Sequence, residues 1–100
     1  MVESFFENKT ECLTILIKGR FDYSCHKMFK EAFSGASKAK EYEVNLADVT
    51  YLDSSALGML LLLRDYAGAE NAKVRLINVN SAVIDILKIA NFHRLFEITE

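Results

Sequence analysis

The feature that most constrains this chain is a repeated change of apolar period, from two to the helical spacing and back. Leu13, Ile15 and Ile17 share one face of a strand-like stretch from Cys12 to Lys18. Cys25, Met28, Phe29, Ala32 and Phe33 then recur at the spacing of a buried helical stripe. Period two returns over Glu41 to Ala47, with Tyr42, Val44 and Leu46 on one side. Helical spacing returns from Ser55 to about Ala69, where Ala56, Met59, Leu60, Leu63, Tyr66 and Ala67 fill one arc. Val74 to Val79 reads as a further strand. Ser81 opens a third helix with Val83, Ile86, Leu87 and Ala90 inward. Ser4 to Asn8 forms a weak first strand, joined through Lys9-Thr10-Glu11 in a short hairpin. Phe92 to Ile98 reads as a short last strand.

Punctuation fits this division. Gly19 is expected to break the second strand, Asp22 or Ser24 to cap the first helix, and Gly35 to stop it near Ser34. A loop is expected from Asp48 to Asp53. Asn91, tolerant of left-handed backbone, ends the third helix. The order ββαβαβαβ predicts an α/β fold with a mixed, mostly parallel sheet and right-handed crossovers. Parallel strands covered on both faces read as continuous apolar runs. Here Thr14, Lys18, Glu43, Asn45 and Arg75 interrupt alternate positions, so the helices are expected mainly on one face.

The 100 residues suffice for a single domain spanning 1–100. About half are hydrophobic, enough for a core without staples. A net charge of −2 supplies no basic footprint for nucleic acid and no attraction to an anionic membrane. The longest apolar run, Ala56 to Leu63, is far short of the roughly 20 residues of a membrane span. Met1 to Asn8 carries Glu3 and Glu7 rather than a basic leader, which argues against a signal peptide. Cys12 and Cys25 have neither metal-ligand spacing nor the number for a disulfide framework, so they read as free thiols. The expectation is a soluble cytoplasmic protein without metal or cofactor.

Enzyme signals are weak. Gly19, Gly35, Gly58 and Gly68 form no phosphate-cradling loop. His26 and His93 are far apart and read as surface or boundary residues. Asp53, Ser55 and a histidine lack the strained elbow that exposes a nucleophilic serine. No convergent acid, base and oxyanion set is present, and a non-enzymatic role is expected.

One segment carries a signal: Asn45-Leu46-Ala47-Asp48-Val49-Thr50-Tyr51-Leu52-Asp53-Ser54-Ser55-Ala56-Leu57-Gly58. Asp53, Ser54 or Ser55 can cap the helix that follows. The same geometry sets a serine hydroxyl at the positive end of a helix dipole, where phosphate is tolerated. On the wheel of that helix, Leu57 and Leu61 fall opposite the core arc, beside Gly58, Arg64, Asp65 and Gly68. They are either covered by a neighbouring helix or form a small apolar binding patch. Asp22 follows the second strand and Asp53 precedes the second helix, so both belong at one end of a parallel sheet.

Asp53-Ser54-Ser55-Ala56-Leu57-Gly58 resembles the signature of STAS domains, in particular anti-sigma-factor antagonists. Gly19-Arg20-Phe21-Asp22, Asn45-Leu46-Ala47-Asp48-Val49, Val83-Ile84-Asp85-Ile86-Leu87 and Phe92-His93-Arg94-Leu95-Phe96-Glu97-Ile98 extend the resemblance over most of the chain. It implies a β/α superhelical fold with helices on one side. It implies phosphorylation of Ser55, with Asp22, Asp53 and Ser54 shaping the loop and Leu57, Gly58 and Leu61 meeting the partner. That partner would be a serine kinase that doubles as an anti-sigma factor, or a response regulator with kinase and phosphatase domains; a serine phosphatase would reset the switch. Three departures stand out. Ala56 occupies a position usually glycine, the third helix lacks the common nearby proline, and the family's C-terminal helix is missing or very short. The alternative reading is a STAS subunit of a transporter without a phosphorylation cycle.

Overall fold

The computed structural model describes residues 1–35 and 38–100. Five strands form one sheet in sequence order: β1 (Val2–Glu7), β2 (Cys12–Phe21), β3 (Glu41–Leu52), β4 (Val74–Ile77) and β5 (Glu97–Ile98). β1 pairs antiparallel with β2, and every other pairing is parallel. Three helices, α1 (His26–Ser34), α2 (Ser54–Ala67) and α3 (Ser81–Ile89), connect the parallel strands. None is long and apolar enough to cross a membrane.

Alternation decides which face the helices cover. Leu13, Ile15 and Ile17 of β2, Tyr42, Val44 and Leu46 of β3, and Val74 and Leu76 of β4 are buried in one core. Phe29 and Phe33 of α1, Met59, Leu60 and Leu63 of α2, and Val83 and Leu87 of α3 close over them. The opposite face carries Thr14, Leu16, Glu43, Asn45, Arg75 and Ile77, all half-buried. There Arg75 bridges Glu41 and Glu43, and Thr14 donates its hydroxyl to Glu43 at 3.0 Å. The arginine hydrogen bond, with its charge, holds the Glu41 carboxyl below its ordinary value. An Arg–Glu network of this kind suits a face left beside water.

Several boundaries differ from the periodicity reading. Gly19 does not end the second strand; β2 continues to Phe21 through a left-handed glycine at φ +81°. Asp48 to Leu52 is not a loop but the second half of β3, paired with Lys18, Gly19, Arg20 and Phe21. Register shifts between Leu16 and Lys18 and between Gly19 and Arg20 put extra residues on β3. Its burial therefore departs from strict alternation, with Leu46, Val49 and Leu52 inward. The first strand begins at Val2 rather than Ser4, α2 runs from Ser54 to Ala67, and β4 stops at Ile77. Val79 still joins the sheet by one hydrogen bond to Thr99.

Asn91 does adopt left-handed backbone after α3, at φ 62°. The following segment, however, is a 3-10 turn, Phe92–Arg94, before the two residues of β5. Its carbonyls and amides close on one another, from Leu95 and Phe96 back to Phe92, and leave few for the sheet. Two inward assignments also fail. Met28 is 48% exposed at the edge of α1, and Ile86 is 37% exposed; Ile84 takes the inward place on α3. Both helices turn a narrower arc to the sheet than the apolar pattern implies.

Candidate functional site

The paired ends of β2 and β3 build the site. Phe21 lies opposite Leu52, so the next residues, Asp22 and Asp53, emerge at the same end of the sheet, Asp53 at the start of α2 and Asp22 before a 3-10 turn, Tyr23–Cys25. α1 itself starts after Cys25 with no side-chain cap, so neither Asp22 nor Ser24 caps it. Each caps a turn in the same way. Asp53, in extended backbone, accepts from the Ser55 amide at 3.1 Å, the Ala56 amide at 3.2 Å and the Ser55 hydroxyl at 2.6 Å, all on Oδ1. Asp22 Oδ1 accepts from the amide and hydroxyl of Ser24, and Oδ2 from Arg20 Nε at 3.2 Å. Arg20 in turn lies over the Tyr51 ring, 4.2 Å from its centre. The cap of α2 is thus Asp53; Ser54 and Ser55 are its first two helical residues.

These contacts set the charge state. The Ser55 hydroxyl, with the backbone amides of Ala56 and Ser55, holds the Asp53 carboxyl below its usual range, while burial and the neighbouring Asp22 push the other way. The Ser24 hydroxyl and Arg20 lower Asp22 likewise. A depressed carboxylate stabilises the fold at pH above its unfolded value and loses that contribution as pH falls through the folded one. Asp53→Ala is therefore expected to lower the melting temperature by roughly 5 °C near neutrality. The difference from the parent should shrink in thermal melts taken below about pH 4, where the unfolded carboxyl protonates. A difference independent of pH would mean that the cap acts through something other than its charge.

The side chains around the cap divide by exposure. Ser54 is exposed and Ser55 half-buried, its hydroxyl oriented by Asp53. Gly58 is exposed, and a Cβ placed on it would meet nothing within 4 Å. Leu57 is half-buried and packs on the core, whereas Leu61 is 37% exposed. Of the two leucines, Leu61 is therefore the one more open to solvent. Leu62, which neither helical arc singled out, is 46% exposed beside it. Arg20 and Tyr51 were also missed, because only the bulged register of β3 sets them opposite each other. Asn80 caps α3 through the Val83 amide and donates to the Val49 carbonyl at 3.1 Å, tying that helix to the same end of β3.

Among the described residues no three His, Cys, Asp or Glu side chains are grouped to hold a metal. One concave pocket is lined by Glu41, Lys73, Arg75 and Glu97, another by Ile84, Lys88, His93 and Phe96; neither includes a residue of α2. What the site offers is a serine hydroxyl at a helix start, two carboxylates, and an open helical surface.

Residues 4–98 match the family described as Mlab, STAS domain. A STAS-domain containing protein of Pseudomonas aeruginosa (strain UCBPP-PA14) is 53% identical over 88 residues, covering 87% of each chain. Among solved structures, the anti-sigma factor antagonist SpoIIAA in its unphosphorylated form superposes with a TM-score of 0.73 at 16% identity, over 100% of this chain and 88% of that one. The phosphorylated form of the Bacillus cell fate determinant SpoIIAA gives 0.67, also at 16% identity, over 100% and 92%. A sulfate transporter family protein of Wolinella succinogenes gives 0.77 at 14% identity, over 89% and 76%. At such identities the structures establish the shared fold.

Proposed function

This chain belongs to the STAS domain family, and on that premise we propose that it is an anti-sigma factor antagonist switched by phosphorylation of Ser55. The unmodified form binds a serine kinase that doubles as an anti-sigma factor, or a response regulator with kinase and phosphatase domains, and so regulates transcription in the cytoplasm. A serine phosphatase restores that form. The observation that carries this reading is the placement of the Ser55 hydroxyl. It stands on the first turn of α2, oriented by Asp53, about one helical turn from exposed Gly58 and nearly two from exposed Leu61. A kinase reaching that hydroxyl must lie against the same surface. Incubation with cell extract and ATP, followed by peptide mapping, is expected to place phosphate on Ser55. Phosphate confined to Ser54, to Ser81 or to Ser37, which lies outside the described residues, would refute the assignment.

Gly58 gives a separate test of that surface. With open space around its Cβ position, Gly58→Ala costs nothing in packing and gains about 0.5–1 kcal/mol from helix propensity. The variant should melt higher than the parent yet bind the kinase at least tenfold more weakly, since a methyl group would hold the partner's backbone away. Equal affinity would place the interface elsewhere.

A second reading is supported by the sulfate transporter family protein that shares the fold: a STAS subunit that grips a transporter component with no phosphorylation cycle. It predicts the same folded domain, no phosphoserine, and a membrane-transport protein as the co-purifying partner.

A further inference from the structure

β1 is an edge strand that carries, of the devices that usually protect an edge, only the two charges of Glu3 and Glu7. Its pairing with β2 is unbroken from Val2 to Glu7, so no bulge twists it away, and it contains neither proline nor lysine. Phe5 is 58% exposed and Phe6 39%. Met1 and Lys18 exchange hydrogen bonds in both directions, at 2.9 and 3.2 Å. Bonded and non-bonded pairs alternate along an antiparallel ladder. It follows that Val2, Ser4 and Phe6 direct their N–H and C=O groups away from β2, out of the sheet.

We propose that this edge pairs antiparallel with β1 of a second copy about a two-fold axis through Ser4, joining the two sheets into one. Three constraints select that register. Side chains must keep their faces, so single-residue slips are excluded. The outward groups of Val2, Ser4 and Phe6 must meet each other. Like charges must not lie directly opposite. With Ser4 opposite Ser4, Val2 meets Phe6 and Glu3 meets Phe5. Sliding by two residues one way sets Glu3 against Glu3, and the other way Glu3 against Glu7. The other edge, β5, is only two residues long and cannot serve as an equal partner, so head-to-tail growth is disfavoured. In the pair, both helical layers lie on one side of the joined sheet, and a partner with two sites could be held at both.

Pairing of one short strand buries little area, at the low end for specific interfaces, so the dimer should depend on concentration. Sedimentation of the full chain should show its mass rising from monomer toward dimer as concentration increases. Ser4→Pro removes an N–H that β2 does not use. It should keep the parent's circular dichroism and sediment as a monomer at tenfold higher concentration. Should proline disturb the strand itself, Ser4→Lys sets two charges across the axis at an exposed position and should have the same effect. Residues opposite in a bonded pair lie about 5.5 Å apart, within reach of a disulfide. Ser4→Cys should therefore cross-link to itself on mild oxidation, and Phe5→Cys should not; the native Cys12 and Cys25 are buried. A chain monomeric up to about 1 mM, a dimer that survives both Ser4→Pro and Ser4→Lys, or cross-linking through Phe5→Cys in place of Ser4→Cys would overturn the proposal.

Discussion

Phosphorylation of Ser55 is expected to weaken kinase binding by a hundredfold or more while leaving the domain folded. The modification adds about −1.5 to −2 charges at pH 7. At the start of α2 that charge meets a favourable dipole. The first-turn amides of Ser55 and Ala56, however, are already taken by Asp53, and the Asp22 carboxylate lies alongside. Attraction and repulsion offset each other locally, so little change in melting temperature is expected. In the complex the balance is one-sided. A phosphate between the partner and exposed Leu61 must lose its water without gaining a counter-charge, which costs several kcal/mol. Each 1.4 kcal/mol is tenfold in affinity. Ser55→Ala should bind constitutively. Ser55→Asp should bind poorly with an unchanged circular dichroism spectrum, although it carries one charge and fewer acceptors than phosphate. Titration calorimetry with the isolated kinase would measure the difference.

The largest effects on stability and on binding should separate at two adjacent residues. Leu60 is fully buried between α2 and the sheet, while Leu61 points outward at 37% exposure. Leu60→Ala removes buried methyl groups and leaves a cavity, at about 2–5 kcal/mol. In a domain this size that is a fall of roughly 10–30 °C in melting temperature. Leu61→Asp should melt within a few degrees of the parent but lose partner affinity by tenfold or more. A collapse of the Leu61→Asp melting curve would return that leucine to the core and remove the patch.

What the residues alone disclosed follows from how far apart the deciding contacts lie. The helix-start signal at Asp53-Ser54-Ser55 is local: the cap and its donors are neighbours in sequence, and the structure realises it atom by atom. The one-sided sheet was legible too, because Thr14, Glu43 and Arg75 break the apolar pattern on alternate positions. The second half of β3 was not. Asp48 and Thr50 look like loop residues, and only pairing with Lys18 to Phe21 across the bulges makes them strand. The contact of Arg20 with Tyr51 depends on that register and was hidden with it. Met28 and Ile86 satisfy helical spacing yet lie just outside the arc that reaches the sheet, a matter of a few tens of degrees of rotation. The same limit applies to Leu62 and to Ile89, which is 84% exposed on the outer side of α3. Apolar residues at helical spacing do not by themselves say which of two adjacent arcs finds a partner.

The central claim is that Ser55 carries the switch and that its unmodified form is the binding form. Native mass spectrometry on the chain isolated with its partners from growing cells tests both halves at once. The expected result is a complex of the kinase with unmodified chain only, and a free pool in which the chain carries phosphate on Ser55. A kinase complex holding the phosphorylated chain, or a chain never phosphorylated and bound to a transporter component, would contradict it.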